Sequence, residues 1–256
     1  MTIIDTHAHL DQVENIEEVL KKAKEVGVTS VVAVSTDGAS SIKNIEISRK
    51  IKEPCIYVAI GIHPECAESL DIGKNIGVIK ENASNATAIG EIGLDYWYKW
   101  ARKKEDKKQI QRDLFRLQLK IAKEHDLPVT IHSRGAWRDC LKIIEDIGIK
   151  KAVFHWYSGP REILEEICDK GYFISATPAL SYSPQSQEAV KNAPIENTLI
   201  ETDSPVFFKD PKGVFQATPK DVFRTLELYA QIKNMKEADA LSVLNQNACD
   251  FFGITL

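Results

Sequence analysis

Histidines and acidic residues in this chain gather where short β-branched runs end. His7 and His9 follow Ile3-Ile4, His63 follows the run 56–62, His132 closes the run 129–132, and His155 lies near the end of the run 151–156. Glu91 stands in Ile89-Gly90-Glu91, and Asp203 ends Leu199-Ile200-Glu201-Thr202-Asp203. Of the six histidines only His125 lies elsewhere, at a helix end. Imidazole nitrogens and carboxylate oxygens are donors that borderline divalent cations accept together. His7, His9, Glu91, His132, His155 and Asp203 supply four imidazoles and two carboxylates, a set that suits two such ions. His7 and His9 are two apart on an extended segment, so both side chains point to one side and can grip one ion. A carboxylate such as Glu91 can bridge a pair. A lone histidine or acid at a strand end is more often a satisfied polar group or a cap; six at the same end of successive strands select ligation.

These residues meet only if the strands that carry them run parallel. Eight runs read as strands: Ile3-Ile4, then 30–35, 56–62, 87–92, 129–132, 151–156, 172–176 and 198–202. Between them lie apolar stripes at three- and four-residue steps, such as Ile16, Val19, Leu20, Ala23 and Val26, or Ile110, Leu114, Leu117 and Ile121, each laying one face on a sheet. Gly27, Gly148 and Gly171 follow three of these stripes, where a helix end calls for positive φ. Strands separated by helices pair in parallel. Eight β-then-α units close most naturally into a TIM-type (β/α)8 barrel, in which every strand delivers its C-terminal edge to one mouth, although an open doubly wound sheet would use the same alternation. No linker or shift in composition marks a boundary, so residues 1–256 read as a single domain, ending in two helices over 219–233 and 236–252 with a break at Asn234.

Composition narrows the function classes. Hydrophobic residues at 43% and charged residues at 27% describe an ordinary globular chain. A net charge of −4 provides no global attraction to nucleic acid, so any polyanion must be met by a locally basic or metal-assisted site. Five scattered cysteines, never spaced Cys-x-x-Cys, argue against a disulfide framework or a thiolate metal site and for a reducing cytoplasm. The amino-terminal residues show no signal peptide, and no run approaches a membrane span.

The chain resembles the TatD family of metal-dependent hydrolases, within the wider amidohydrolase-like barrels, almost end to end. The stretches that carry the resemblance are Asp5-Thr6-His7-Ala8-His9-Leu10-Asp11, Gly61-Ile62-His63-Pro64, Gly90-Glu91-Ile92-Gly93-Leu94-Asp95-Tyr96, Ile131-His132-Ser133-Arg134, His155-Trp156-Tyr157-Ser158-Gly159 and Glu201-Thr202-Asp203-Ser204-Pro205. The resemblance implies a TIM barrel and hydrolysis of phosphodiester bonds in DNA. It implies two metal ions, one on His7, His9 and Asp203, the other on His132 and His155, with Glu91 between them. Zinc, manganese, magnesium, iron and nickel all suit the donor set. Two departures lie outside those ligands. His155-Trp156-Tyr157 replaces the usual His-Cys-Phe, adding aromatic surface to the mouth, and Lys212-Gly213, Gln216 and Pro219 stand where Arg-Gly and an Asn before a Pro are usual. That second segment is expected to line the pocket, where Lys cannot fork onto a phosphate as Arg does.

Divalent ions activate water near neutral pH, so the protein need not supply the nucleophile. Glu91 and Asp203 are then the catalytic carboxylates, Asp203 ligating one ion and orienting or accepting the water's proton. His63 and Arg134 share the mouth and can hold phosphate oxygens; for His63 a hydrogen bond that fixes the loop before Pro64 is an equal alternative. Tyr96, Trp97, Tyr98 and Trp100 can stack on bases but more often such a cluster is packing, and the basic run from Lys99 to Lys108 is read first as a solvated helix start. The same site could attack carboxylic esters, lactones or amides, and a barrel that binds metal without turnover is a third reading.

Overall fold

A computed structural model describes residues 2–68 and 71–255. Eight strands, β1 (Ile3–Ala8), β2 (Val28–Val34), β3 (Cys55–Ile60), β4 (Ala88–Gly93), β5 (Val129–His132), β6 (Ala152–Phe154), β7 (Phe173–Ala176) and β8 (Thr198–Ile200), lie side by side in chain order, every pair parallel. Helices return the chain between them: α1 (Ile16–Val26), α2 (Gly38–Lys50), α3 (Ile72–Asn82), α4 (Glu105–Glu124), α5 (Trp137–Ile147), α6 (Arg161–Asp169) and α7 (Pro184–Asn192). Patterning explains their placement. In α1 Leu20 and Ala23 are buried while Glu17, Glu18, Lys21 and Lys22 face water, and the helix ends on Gly27 at φ 112°, which a side chain would resist. Asp37 caps α2 by accepting from the Ser40 N–H at 2.7 Å.

The sheet closes on itself, which decides between barrel and open sheet. Asp203 N–H donates to the His7 carbonyl at 2.9 Å, His9 N–H donates to the Ser204 carbonyl at 2.7 Å, and Ala8 and Ser204 form a parallel bridge. Beneath them Asp5 is fully buried and accepts from the Thr202 N–H at 2.9 Å and the Thr202 hydroxyl at 2.6 Å. This seam joins the first strand to the segment beyond the last. The opposite end is stopped by apolar packing: Ile4, Val32, Ala59, Ala88, Val153 and Leu199, from six strands, meet Phe251 and Phe252 of the C-terminal helix.

The last two helices agree with expectation. A short 3-10 turn, Pro219–Asp221, leads into α8 (Val222–Lys233), Asn234 takes the left-handed break at φ 52°, and α9 (Glu237–Phe252) follows. An antiparallel hairpin of β9 (Phe207–Asp210) and β10 (Gly213–Gln216) was not foreseen. Its strands are four residues long and rest on one buried ring, Phe208, against Trp156, so no alternating pattern of useful length announces them. Lys212 lies at its turn and lines a separate cleft beside α8 rather than the barrel mouth, contrary to the expectation that this segment faces the pocket. Among the described residues no helix is long and apolar enough to cross a membrane.

Candidate metal centre

The strands deliver the six candidate ligands to one end of the barrel. His7 lies within β1, Glu91 within β4, His132 ends β5, and His9, His155 and Asp203 stand just beyond β1, β6 and β8. Pairing is irregular where two of them sit: the β1–β2 register shifts between Asp5 and Ala8, and the β4–β5 register between Ile89 and Ile92. Such breaks re-aim a side chain. Glu91 N–H leaves the β5 ladder and donates to the Ser35 carbonyl at 2.9 Å. Gly90 permits the close approach, since a Cβ there would lie 1.8 Å from Thr130 Cγ2. Asp203 holds φ 51°, a strained conformation that Asp tolerates better than most residues.

The two oxygens of Glu91 face different company. His7 Nε2 and His9 Nε2 lie 3.4 and 3.5 Å from Oε2, and the same two nitrogens lie 3.6 and 3.4 Å from Asp203 Oδ1. Four donors arranged tetrahedrally about 2.0–2.1 Å from a common centre stand about 3.3 Å apart along each edge. The spacings therefore fit coordination and are too long for good hydrogen bonds. His7 Nε2 and Asp203 Oδ1, both buried, have no hydrogen-bond partner among the described residues. Buried polar atoms without partners are costly, and a cation between them relieves that cost. The donor set fits a divalent ion.

On the other side, His132 Nδ1 and His155 Nε2 approach Glu91 Oε1 to 2.8 and 2.9 Å, with His63 Nε2 at 3.6 Å. These imidazoles are also held from behind. His155 Nδ1 meets Glu201 Oε1 at 3.0 Å, and His132 Nε2 meets Asp95 Oδ2 at 2.7 Å. A carboxylate on the far nitrogen fixes ring orientation and tautomer, leaving the near nitrogen for the centre. Neither Asp95 nor Glu201 was singled out from the sequence, although both lie in the motif stretches. The signal was available: a histidine ligand needs a partner for its second nitrogen, and these acids sit four residues after Glu91 and two before Asp203.

Burial disfavours charge on Glu91, but the imidazoles of His155 and His63 and hydrogen bonds from His132 and His155 hold its carboxyl well below the usual range. Asp203 is lowered in the same way, burial being outweighed by the neighbouring imidazoles of His9, His155 and His7. Burial pushes His63 down to about 3, so it is neutral near pH 7. Its Nδ1 accepts from the Glu65 N–H at 3.2 Å, which places the ring proton on Nε2, facing the centre. The ring thus ties down the turn beyond Pro64 rather than the loop before it, and its Nε2 faces the mouth.

A cavity of about 460 Å³ opens over these groups, lined by His9, His63, Glu91, His132, Arg134, His155 and Asp203. Arg134 Nε bonds Asp95 at 2.8 Å and its guanidinium lies over the Tyr98 ring, while 46% of the side chain stays exposed. The aromatic cluster divides. Tyr98 lines the cavity, Trp97 is 60% exposed, and Tyr96 is tied by its hydroxyl to Asp139 and Arg112. Trp156 also lines the mouth, as its added aromatic surface suggested. Of the basic run, Lys107 pairs with Glu68 and Lys103 and Lys104 face solvent at the start of α4. A larger cavity, about 600 Å³, lies at the far end of the barrel among Tyr57, Lys123, Lys151 and Phe251. Lys123 and Lys151 bond backbone carbonyls, Lys150, which also lines it, pairs with Asp126, and none of the candidate ligands reaches it.

A closed parallel barrel with a basin of imidazoles and carboxylates at its C-terminal mouth is the build of a metal-dependent hydrolase. The chain belongs to the TatD related DNase family, whose profile matches residues 4–253. It is 31% identical over 261 residues to the deoxyribonuclease TATDN3 of Homo sapiens, covering 98% of this chain and 94% of that one. It is likewise 31% identical to YabD of Bacillus subtilis, described as a metal-dependent hydrolase, over 98% of this chain and 99% of the other. The crystal structure of YJJV, a TatD homologue from Escherichia coli, superposes with a TM-score of 0.89 at 23% identity, covering 99% and 98% of the two chains.

Proposed function

We propose that the protein is a deoxyribonuclease that hydrolyses phosphodiester bonds in DNA with two divalent metal ions. His7, His9 and Asp203 would hold one ion and His132 and His155 the other, each set sharing Glu91. The observation that carries this reading is the two-sided environment of Glu91, with one oxygen among donors at coordination spacing and the other among imidazoles braced by carboxylates. Divalent ions bound there would lower the pKa of water and stabilise negative charge developing on the phosphoryl group.

The chain's own groups would do the rest. Asp203, kept ionised by its neighbours, would orient the attacking water and take its proton. Arg134 has only Nε engaged by Asp95 and would present its remaining donors to a non-bridging phosphate oxygen. His63, neutral with its proton on Nε2, would donate to the same phosphate. Tyr98 and Trp156 would form the walls beside it. Scattered cysteines without a paired spacing support a reducing compartment, the cytoplasm, as the setting. The test is elemental analysis of the purified protein, with hydrolysis of single-stranded DNA, duplex DNA and a carboxylic ester measured after metal exchange. Metal-dependent cleavage of DNA is expected; cleavage of the ester alone would overturn the reading.

A further inference from the structure

We propose that Asp95 is a positioning residue that locks a metal-side imidazole and a phosphate-side guanidinium to one another. Its carboxylate is fully buried, and its two oxygens have separate duties. Oδ2 accepts from both His132 Nε2 at 2.7 Å and Arg134 Nε at 2.8 Å. Oδ1 accepts from the backbone N–H groups of Trp97 and Tyr98 at 2.8 and 3.2 Å, which ties down the loop that carries the Tyr98 wall. The residue is itself clamped. Gln111, buried on α4, accepts from the Asp95 N–H at 2.8 Å and donates to the Asp95 carbonyl at 2.9 Å.

With both oxygens engaged and the side chain sealed from solvent, Asp95 neither ligates nor meets substrate; it acts through others. Holding Nε2–H of His132 turns Nδ1 to Glu91. Holding Nε of Arg134 points the rest of the guanidinium into the mouth and keeps it over the Tyr98 ring. A single oxygen shared by two donors makes their positions interdependent, so a shift of His132 is felt at Arg134. Outer-shell partners of this kind carry about ten- to a hundredfold in metal affinity when replaced.

The phosphate role of Arg134 rests on the function proposed above; the coupling through Asp95 does not. The experiment compares the full-length parent with Asp95→Asn, Arg134→Ala and the double variant. It measures the visible spectrum during cobalt titration, the dissociation constant of thymidine monophosphate for the cobalt-loaded protein, and Tm. An amide cannot accept from His132 and Arg134 on one side and from two backbone N–H groups on the other. Asp95→Asn is therefore expected to alter the cobalt spectrum, to weaken cobalt binding on the His132 side about tenfold, and to weaken nucleotide binding. The loss of thymidine monophosphate affinity in the double variant should fall short of the sum of the two single losses, because the two share the Asp95–Arg134 contact. An unchanged cobalt spectrum, or additive losses of nucleotide affinity, would overturn the proposal. If Asp95→Asn does not fold, Gln111→Met loosens the same carboxylate and should shift both readouts in the same direction, and no shift in either counts against it. A parent that binds cobalt and nucleotide but cleaves no DNA sinks the nuclease reading and leaves this measurement intact.

Discussion

The two sides of Glu91 are built from the same residue types yet stand in different states. Around Oε2 the nitrogens of His7 and His9 remain 3.4 and 3.5 Å away; around Oε1 those of His132 and His155 have closed to 2.8 and 2.9 Å. The scaffolding accounts for the difference. His7, His9 and Asp203 lie on the seam, where backbone hydrogen bonds between the first strand and the segment beyond the last set their separation. His132 and His155 stand at the ends of short strands and lean onto Glu91 while Asp95 and Glu201 brace them. A backbone lattice can thus hold costly, unpartnered donors apart, whereas side-chain bracing lets them satisfy one another. On the proposed two-ion reading, the seam side would be preformed for a cation, whereas the other side would exchange hydrogen bonds for coordination.

This contrast can be attacked at several strengths. Glu91→Gln strikes both sides, and activity is expected to fall about a thousandfold or more, with metal content reduced at both, read by turnover and elemental analysis. Asp203→Asn damages the seam side alone; kcat should fall by about two to three orders of magnitude while the protein folds and the braced side still takes metal. Retention of most activity would remove Asp203 from the mechanism. Titrating metal-stripped protein with cobalt sharpens the comparison further. His9→Ala should lose the tighter equivalent and His155→Ala the weaker, the two differing by about tenfold in affinity in the parent, and the reverse assignment would refute a preformed seam. Arg134→Ala touches neither oxygen of Glu91, so KM should rise about tenfold with metal content unchanged. Trp97→Ala, at an exposed rim position, should move stability by no more than about 0.5 kcal/mol in a denaturation curve.

Much of this architecture is legible in the sequence because it follows from periodicity. The eight β-branched runs, the apolar stripes and the break at Asn234 each obey a local rule, and their alternation implies parallel strands, while the choice of barrel over open sheet is made by the seam. The ligands are legible for a related reason: strand ends are recognisable, and parallel strands bring their ends together. Asp95, Glu201 and Gln111 were harder to read because their roles depend on which way a neighbouring imidazole turns. The β9–β10 hairpin escaped because four-residue strands carry too few alternations. The position of Lys212 was misjudged because that hairpin folds its turn toward α8. Asp5 and Thr202 hold the seam through a contact spanning 197 positions, which no local pattern can express.

That last span has a consequence for biosynthesis. Translation delivers the first strand long before the segment that closes the ring, so a nascent chain that has not yet released Asp203 would lack one donor of the proposed seam-side site. If the seam side takes a cation as proposed, its capture there and completion of the ring would become a single late event. A truncation that stops short of residue 203 should therefore forfeit this half of the centre even where every imidazole is still present.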